Sequence, residues 1–381
     1  MTSASQTSTQ MISAVPAKSR IRPFAADDIP QVADLHRRVF GVADQSSPEL
    51  LNSYRTYFTD VYLSNPLHEE ASGSLVHQEK DGRITGFLAV TPRLMTMNGQ
   101  TVRARITSQF VVDPEFRGYV GLKLLNTVLN GPQDLTIADE SNADSRMLWE
   151  ALGGVTSHLY SMRWFYPLRP CQFGLFVARR KRFLPPFLAS VAAPLAGSLD
   201  SLAARIANFS FREPPRKVFG EDLDCETLLA CLSDAGKKQS IRPDYDLRSL
   251  SWVLQRAEQM RRYGSLQRVL VRTEKLEIAG WYLYHLNPSG VSEVVQLYAK
   301  PHFAHDVLDH LLHHSWRQGA TGLSGRMEPG LMQAFSDKHC LFHCGPQWVL
   351  LHSRRPELLD AFQRGDAGFS RLDGEWCLHF R

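Results

Sequence analysis

Apolar residues recur along this chain with two periods, and between residues 106 and 129 one gives way to the other. Ile106, Phe110, Val111 and Val112 read as a buried strand, whereas Leu124, Leu125, Val128 and Leu129 recur at helical spacing. The turn between them carries Pro114, Arg117, Gly118 and Gly121. The pattern therefore predicts a strand, a glycine-bearing turn and a helix.

Upstream, residues 21–24 read as a short strand, followed by Asp27 and Asp28 at a helix cap, with Val32, Leu35 and Val39 on one helical face. Strands are predicted from Ile84 to Val90, from Arg93 to Met97 and from Val102 onward, with Asn98-Gly99 suited to a tight hairpin turn. Downstream, residues 134–139 predict a strand beside the Ile106 strand, running into Glu140-Ser141-Asn142 and a helix closed by Gly153-Gly154. Residues 160–166 alternate aromatics in the manner of a strand.

The second half repeats this rhythm. Strands are predicted over 266–272, 278–286 and 291–298, and Ala299-Lys300-Pro301 stands where Val112-Asp113-Pro114 stood. A helix follows to about Arg317, then strands near 323–327 and 348–352. No Arg-Gly follows Pro301, and no glycine occurs before Gly319. A length of 381 residues suits two or three domains. The divisions expected are a disordered tail over 1–20, a first domain over 21–168, a linker over 169–212 and a second domain over 213–381.

Charge and cysteine usage narrow the picture further. The formal charge of +4 suits an anionic ligand, but no basic stripe interleaved with aromatics is present, so no nucleic-acid partner is expected. Six scattered cysteines make no disulfide framework, which points to a reducing, cytoplasmic compartment. Arg179-Arg180-Lys181-Arg182 precedes seventeen uncharged residues broken by Pro185, Pro186 and Pro194. That stretch does not suit a membrane span; residues 179–204 read as an interdomain linker or as a contact with an anionic membrane surface. His310 and His314, with His305 and His313, and the run from His339 to Cys344 lack the spacing of a known metal finger, so no metal is expected.

The candidate chemistry lies at the start of the helix near residue 117. The first N–H groups of a helix have no internal partner, the helix dipole adds partial positive charge there, and Arg117 adds a fixed one. Strand, Val-Asp-Pro, Arg-Gly-x-x-Gly and amphipathic helix in this order resemble the acyl-CoA-binding core of the GNAT acetyltransferase superfamily. The resemblance implies an α/β (α+β) fold of two tandem GNAT-like domains, each a mixed, mostly antiparallel sheet flanked by helices, the second degenerate. It implies acetyl-CoA or another acyl-CoA as co-substrate. The backbone of Phe110, Val111 and Val112 is expected to hold the pantetheine arm, and the amides of Arg117, Gly118, Tyr119, Val120, Gly121 and Leu122 the pyrophosphate. Family members usually show Arg/Gln-x-x-Gly-x-Gly/Ala; here Val120 and Leu122 replace the later glycines, so a reshaped turn is expected.

The family's signature behind its fifth strand is matched by Asn142, Ser145, Leu148, Trp149, Glu150, Gly153 and Gly154. Asn142 is expected to help fix the cofactor. Trp149 stands where the family usually places a tyrosine that protonates the departing thiolate, and an indole N–H does not titrate in a useful range. Tyr160 or Ser141 could serve instead, the thiolate could leave unaided, or the domain could have lost catalysis. For the base, Glu140 is the first candidate with Asp139 beside it; the alternative for both is capping the next helix.

These readings converge on an acyl-CoA-dependent N-acyltransferase, with acetyl the first expectation, in which a small-molecule amine held between the halves attacks the thioester directly. Two alternatives stand beside it: a non-catalytic acyl-CoA-binding or regulatory protein, and a transferase of longer acyl chains at a membrane surface.

Overall fold

The computed structural model describes residues 19–41, 48–66, 73–180, 194–200, 213–236, 239–288, 290–345 and 347–380. The tail expected over 1–20 lies almost wholly outside these residues, as does most of the stretch 179–204.

The first half forms β1 (Arg20–Pro23), α1 (Ile29–Phe40), α2 (Pro48–Phe58), β2 (Leu75–Gln78), β3 (Ile84–Met97) and β4 (Gln100–Val112). It continues through α3 (Arg117–Leu129), β5 (Leu135–Ser141), α4 (Ala143–Ala151), β6 (Val155–Ser157), α5 (His158–Ser161), β7 (Met162–Pro167) and α6 (Pro170–Arg180). Asn98 and Gly99, at φ 51° and 79°, make the hairpin turn between β3 and β4 that their sequence predicts. The two strands expected on either side of Pro92 are one strand. Pro92 falls between the stretches of β3 that its outer neighbours cover, where a missing N–H costs no ladder bond. Side chains along β3 alternate: Phe87 and Ala89 pack with α1 and α2, while Leu88 and Val90 pack with α3 and Trp149.

The second half forms β8 (Val218–Asp222), α7 (Cys225–Ala235), β9 (Ile241–Pro243), α8 (Leu247–Glu258), β10 (Ser265–Thr273), β11 (Ile278–Leu286) and β12 (Val291–Ala299). After these come α9 (Ala304–Arg317), β13 (Gly322–Arg326), α10 (Met332–Asp337), β14 (Leu341–Cys344), β15 (Trp348–His352) and α11 (Pro356–Gln363).

The strands pair into two sheets of the same plan. One runs β1-β2-β3-β4-β5-β15-β6, with β9 added at the far end of β3; the other runs β8-β10-β11-β12-β13-β7-β14. In each, the first four strands are antiparallel and the fourth meets the fifth in parallel. The sixth position of each sheet is filled by a strand from the other half. Residues 160–166, expected in the first domain, thus place Trp164 in the second core, stacked on Phe335 at 4.7 Å. Val349, Leu350 and Leu351 of β15 are correspondingly buried in the first.

Tyr160, on the crossing segment, lies in a core with Phe362 and Phe369. Its hydroxyl donates to the Ala367 carbonyl and accepts the Ala367 N–H at 3.0 Å. Asp200 accepts the N–H groups of Cys171 and Gln172, which ties residues 194–200 to the start of α6. Among the described residues, no helix is long and apolar enough to cross a membrane. His310 and His314 each bond a tyrosine hydroxyl, of Tyr282 and Tyr284, at 2.9 Å.

Two outcomes follow from this packing. Tyr160→Phe leaves both Ala367 backbone groups without their partner and is expected to cost about 1–3 kcal/mol in chemical denaturation. Leu350→Ala, in the exchanged strand, is expected to cost about 2–5 kcal/mol. Tryptophan fluorescence and far-UV circular dichroism are expected to show one coincident transition for both sheets; two separate transitions would show the halves to be independent.

Candidate functional site

β4 and β5 pair in parallel only from Ala104 to Ile106, against Leu135 to Ile137, and then diverge. On its other edge β5 pairs with β15 from Thr136 to Ser141, so it stays in the sheet after β4 has parted from it. The edge of β4 from Thr107 to Val112 that faces away from β3 therefore has no strand partner. A cleft of about 410 Å³ opens there. The first half lines it with His36, Phe40, Leu88, residues 107–110, Ala138, residues 140–142, Ser145 and Trp149. The second half contributes Arg262, Glu375, His379 and Phe380.

The β4 wall carries a bulge. Phe87 opposes Val111 and Ala89 opposes Ser108, so an extra residue is accommodated, and Gln109 sits at φ 46°. Its side chain holds it there: Gln109 Oε1 accepts from His36 Nε2 at 2.7 Å, and His36 Nδ1 meets the Tyr54 hydroxyl at 3.0 Å. An Nε2–H donor and an Nδ1 acceptor make a neutral ring, in keeping with burial pushing the His36 pKa down. Phe380 stacks on Tyr54 with ring centroids 4.0 Å apart, so the C-terminal segment braces the same wall.

The run Arg117 to Leu122, expected as a reshaped turn, is the first two turns of α3. Val120 takes ordinary helical geometry and is buried under Gly86, where an added Cβ would meet Val120 Cγ1 at 2.6 Å. Within α3 the N–H groups of residues 117–119 lack an i−4 acceptor; those of Val120, Gly121 and Leu122 bond back, starting at the Phe116 carbonyl, which removes these three as amide donors. Phe116 at the N-cap offers no side-chain bond. Arg117 and Tyr119 are exposed, and Gly118 has no protein atom within 4 Å of where its Cβ would lie. The end of α3 thus keeps free donors, a cation and open space, which fits an anionic diphosphate.

On the opposite wall, neither Asp139 nor Glu140 caps α4. That role falls to Asn142, whose Oδ1 accepts the Ser145 N–H at 2.9 Å. Asp139 forms a buried ion pair with Arg326 at 2.7 Å and accepts the Glu375 N–H. Glu140, its side chain 5% exposed, lies 3.6 Å from Arg326. Its N–H donates to Glu375 Oε1 at 2.8 Å, and its Oε2 is buried with no partner among the described residues. Burial raises the Glu140 pKa, while Arg371 and Arg326 oppose the rise. Glu375 is held well above the ordinary carboxyl range by burial and by the neighbouring Asp139 and Glu140.

The structure therefore brings Phe110, Glu140, Ser141, Asn142 and Trp149 to one cleft, and leaves Tyr160 in a core away from it. Val111 and Val112 bury their side chains on opposite faces of the sheet while their backbone continues the unpaired edge. Sequence reasoning missed His36, Gln109, Arg262, Glu375, His379 and Phe380. For the last four no local signal existed, since they reach the cleft only through the packing of the second half.

Residues 20–130 match the family described as "Acetyltransferase (GNAT) domain". Among solved structures, a probable N-acyltransferase from Enterococcus faecalis V583 superposes with a TM-score of 0.55 at 10% identity, over 88% of this chain and 72% of that one. A GCN5-related N-acetyltransferase from Kribbella flavida gives 0.52 at 13% identity, over 88% and 71%. Saccharomyces cerevisiae N-myristoyltransferase with bound myristoyl-CoA gives 0.50 at 9% identity, over 90% and 82%. No curated protein sequence matches the chain. These likenesses are of fold, and they extend along both halves. The match over residues 20–130 thus gives that segment as a GNAT acetyltransferase domain, and the fold of the chain along both halves is like that of N-acyltransferases of the GNAT type.

Proposed function

We propose that this protein is an acyl-CoA-dependent N-acyltransferase whose first half, residues 21–168 save the exchanged β7, binds the thioester, and whose second half completes the acceptor site. The observation that carries the reading is Glu140 Oε2, a buried carboxylate oxygen without a partner among the described residues, in the cleft between two diverging strands. A buried acceptor of this kind costs stability unless something donates to it. An ammonium entering the cleft supplies that donor.

In this reading the free amides at the start of α3 and Arg117 hold the diphosphate of the acyl-CoA, and the unpaired edge from Phe110 to Val112 holds the pantetheine arm. Glu140 takes the proton of the bound ammonium, and the freed amine attacks the thioester carbonyl directly. Trp149 is buried in the cleft floor and donates no proton to the thiolate, which leaves as a fair leaving group in its own right. The same Trp149 is what favours the second reading, a protein that binds acyl-CoA without turning it over. Release of free CoA thiol in the presence of mixed amines separates the two. Acetyl-CoA is the first substrate to test, with longer-chain thioesters beside it because a neighbour in fold binds myristoyl-CoA.

Two measurements test the proposal. Arg117→Glu and Gly118→Val are expected to fold normally, since neither side chain meets protein atoms that oppose it, and to weaken acyl-CoA binding in calorimetry by about tenfold or more. Unchanged affinity in both would remove α3 from the site. Glu140→Gln is expected to lower kcat/KM by about 10²–10⁴. The base acts only when ionised and its pKa is raised, so wild-type activity is expected to fall, as pH drops, at a higher pH than an ordinary carboxylate gives. A wild-type acid limb within the usual carboxylate range, or its survival in Glu140→Gln, would point to another base.

A further inference from the structure

Behind the cleft lies a buried cluster of seven charged side chains drawn from both halves. β5 supplies Asp139 and Glu140, β7 Arg163, β12 Glu293 and β13 Arg326, while the C-terminal segment supplies Arg371 and Glu375. All are buried or nearly so: the side chains of Arg163 and Glu293 are 14% exposed, those of Glu140 and Arg326 5%, and Glu375 as a residue 7%. The cluster contains three guanidiniums and four carboxyls.

The pairing within it is uneven. Glu293 is held by Arg163 at 2.8 Å and by Arg371 at 2.7 Å. Arg326 lies 2.7 Å from Asp139 and 3.6 Å from Glu140. Glu375 has no cation within ion-pair distance among the described residues. Its carboxyl instead accepts the Glu140 N–H, and its own N–H goes to Asp139. With all four carboxyls ionised, the interior would hold one uncompensated negative charge, which is far costlier than a neutral acid. One proton restores neutrality, and it belongs on the carboxyl that no guanidinium faces.

We infer that Glu375 is a positioning residue of the cleft: as a neutral acid it anchors the Glu140 backbone and leaves Glu140 as the ionised member of the pair. This rests on the reading of Glu140 as the proton acceptor and adds to it a residue 235 positions away in sequence, delivered by the other half. The Glu375 carboxyl holds the Glu140 N–H and so fixes the backbone from which the Glu140 carboxylate reaches the cleft. It also carries the cluster's one proton, so that Glu140 is free to receive one. Around the pair stand Asp139 from β5, Arg326 from β13, Arg371 and His379 from the C-terminal segment, Tyr62 after α2, His36 from α1 and Arg262 before β10. His36 and His379 are both pushed down by burial, so neither ring adds a cation near neutral pH.

The test compares the full-length protein with Glu375→Gln, which keeps a neutral acceptor for the Glu140 N–H, and Glu375→Leu, which does not. At neutral pH the infrared difference between wild type and Glu375→Gln is expected to show the carbonyl stretch of one protonated carboxyl present only in the wild type. An ionised-carboxylate difference instead would overturn the inference whether or not the protein turns over substrate. In acyl transfer, Glu375→Gln is expected to keep kcat within about tenfold of wild type with its acid limb unmoved, whereas Glu375→Leu loses about tenfold or more beyond that in kcat with the KM for acyl-CoA unchanged. An acid limb in Glu375→Gln lower by about one pH unit or more would mean that Glu375 had been charged, and would also overturn it. If no amine releases thiol from acyl-CoA, the transferase reading fails alone, because the infrared outcome still decides the proton's location.

Discussion

A parallel pair of strands that diverges opens an unpaired edge between them, and this splay organises the whole molecule. β4 and β5 share only three register positions before they part. A buried strand edge without hydrogen bonds is costly, so one side has to be satisfied by something other than the strand it has left. β15 from the other half pairs with the opposite edge of β5, from Thr136 to Ser141, and keeps that strand in the sheet; the edge of β4 that β5 has left becomes a cleft wall. In the second sheet β7 from the first half pairs in the same way with the outer edge of β13. Each half therefore lends the strand that flanks the other's fifth. This exchange makes the cleft a product of the entire chain, although every residue of its α3 end is local in sequence.

The exchange also explains why so much charge is buried behind the cleft. Bringing β7, β12, β13 and β15 to the inner end of β5 places polar residues from both halves where neither half alone had a solvated surface for them. They compensate one another: Asp139 with Arg326, and Glu293 with Arg163 and Arg371. Such networks add little net stability, since desolvation consumes most of the Coulomb gain. What they fix is geometry. The 2.7 Å pair of Arg326 with Asp139 ties β13 to β5, and the C-terminal segment is tied to the same point through Glu375.

Much of this was legible in the sequence where the cause is local. The strand, helix and hairpin around residues 84–129 follow from side-chain period and from Asn98-Gly99, and the structure carries them with small shifts. The repeated rhythm of residues 266–327 announced a second sheet of the same plan. Glu140 was found because it ends a strand at a splay. What escaped was non-local. Residues 160–166 have a strand pattern that does not say which sheet they join, because alternation records burial on two faces and not the identity of the neighbours. Tyr160 is near the signature helix in sequence, yet the crossing to the second sheet carries it into a core. Val120 in place of a glycine predicts a reshaped turn, and the structure has a helix there instead. Val120 lies one turn inside it, where a β-branched residue is at home under a neighbouring glycine.

The second half illustrates how a duplicated plan can be retained after its ligand end is gone. Its counterpart of the α3 start is Lys300-Pro301-His302-Phe303 leading into α9, with proline in the short turn and no glycine. Ala304 and His305 stand where Arg117 and Gly118 stand in the first half. Its own cleft position is taken up by residues 368–373, which pack against Gln296, Tyr298 and Glu328 and leave about 50 Å³. The same segment then continues through Arg371 and Glu375 to Phe380, where it forms a wall of the first cleft. One stretch of chain closes one site and completes the other. An insertion or deletion between Gly368 and Glu375 would therefore shift the packing at both places at once.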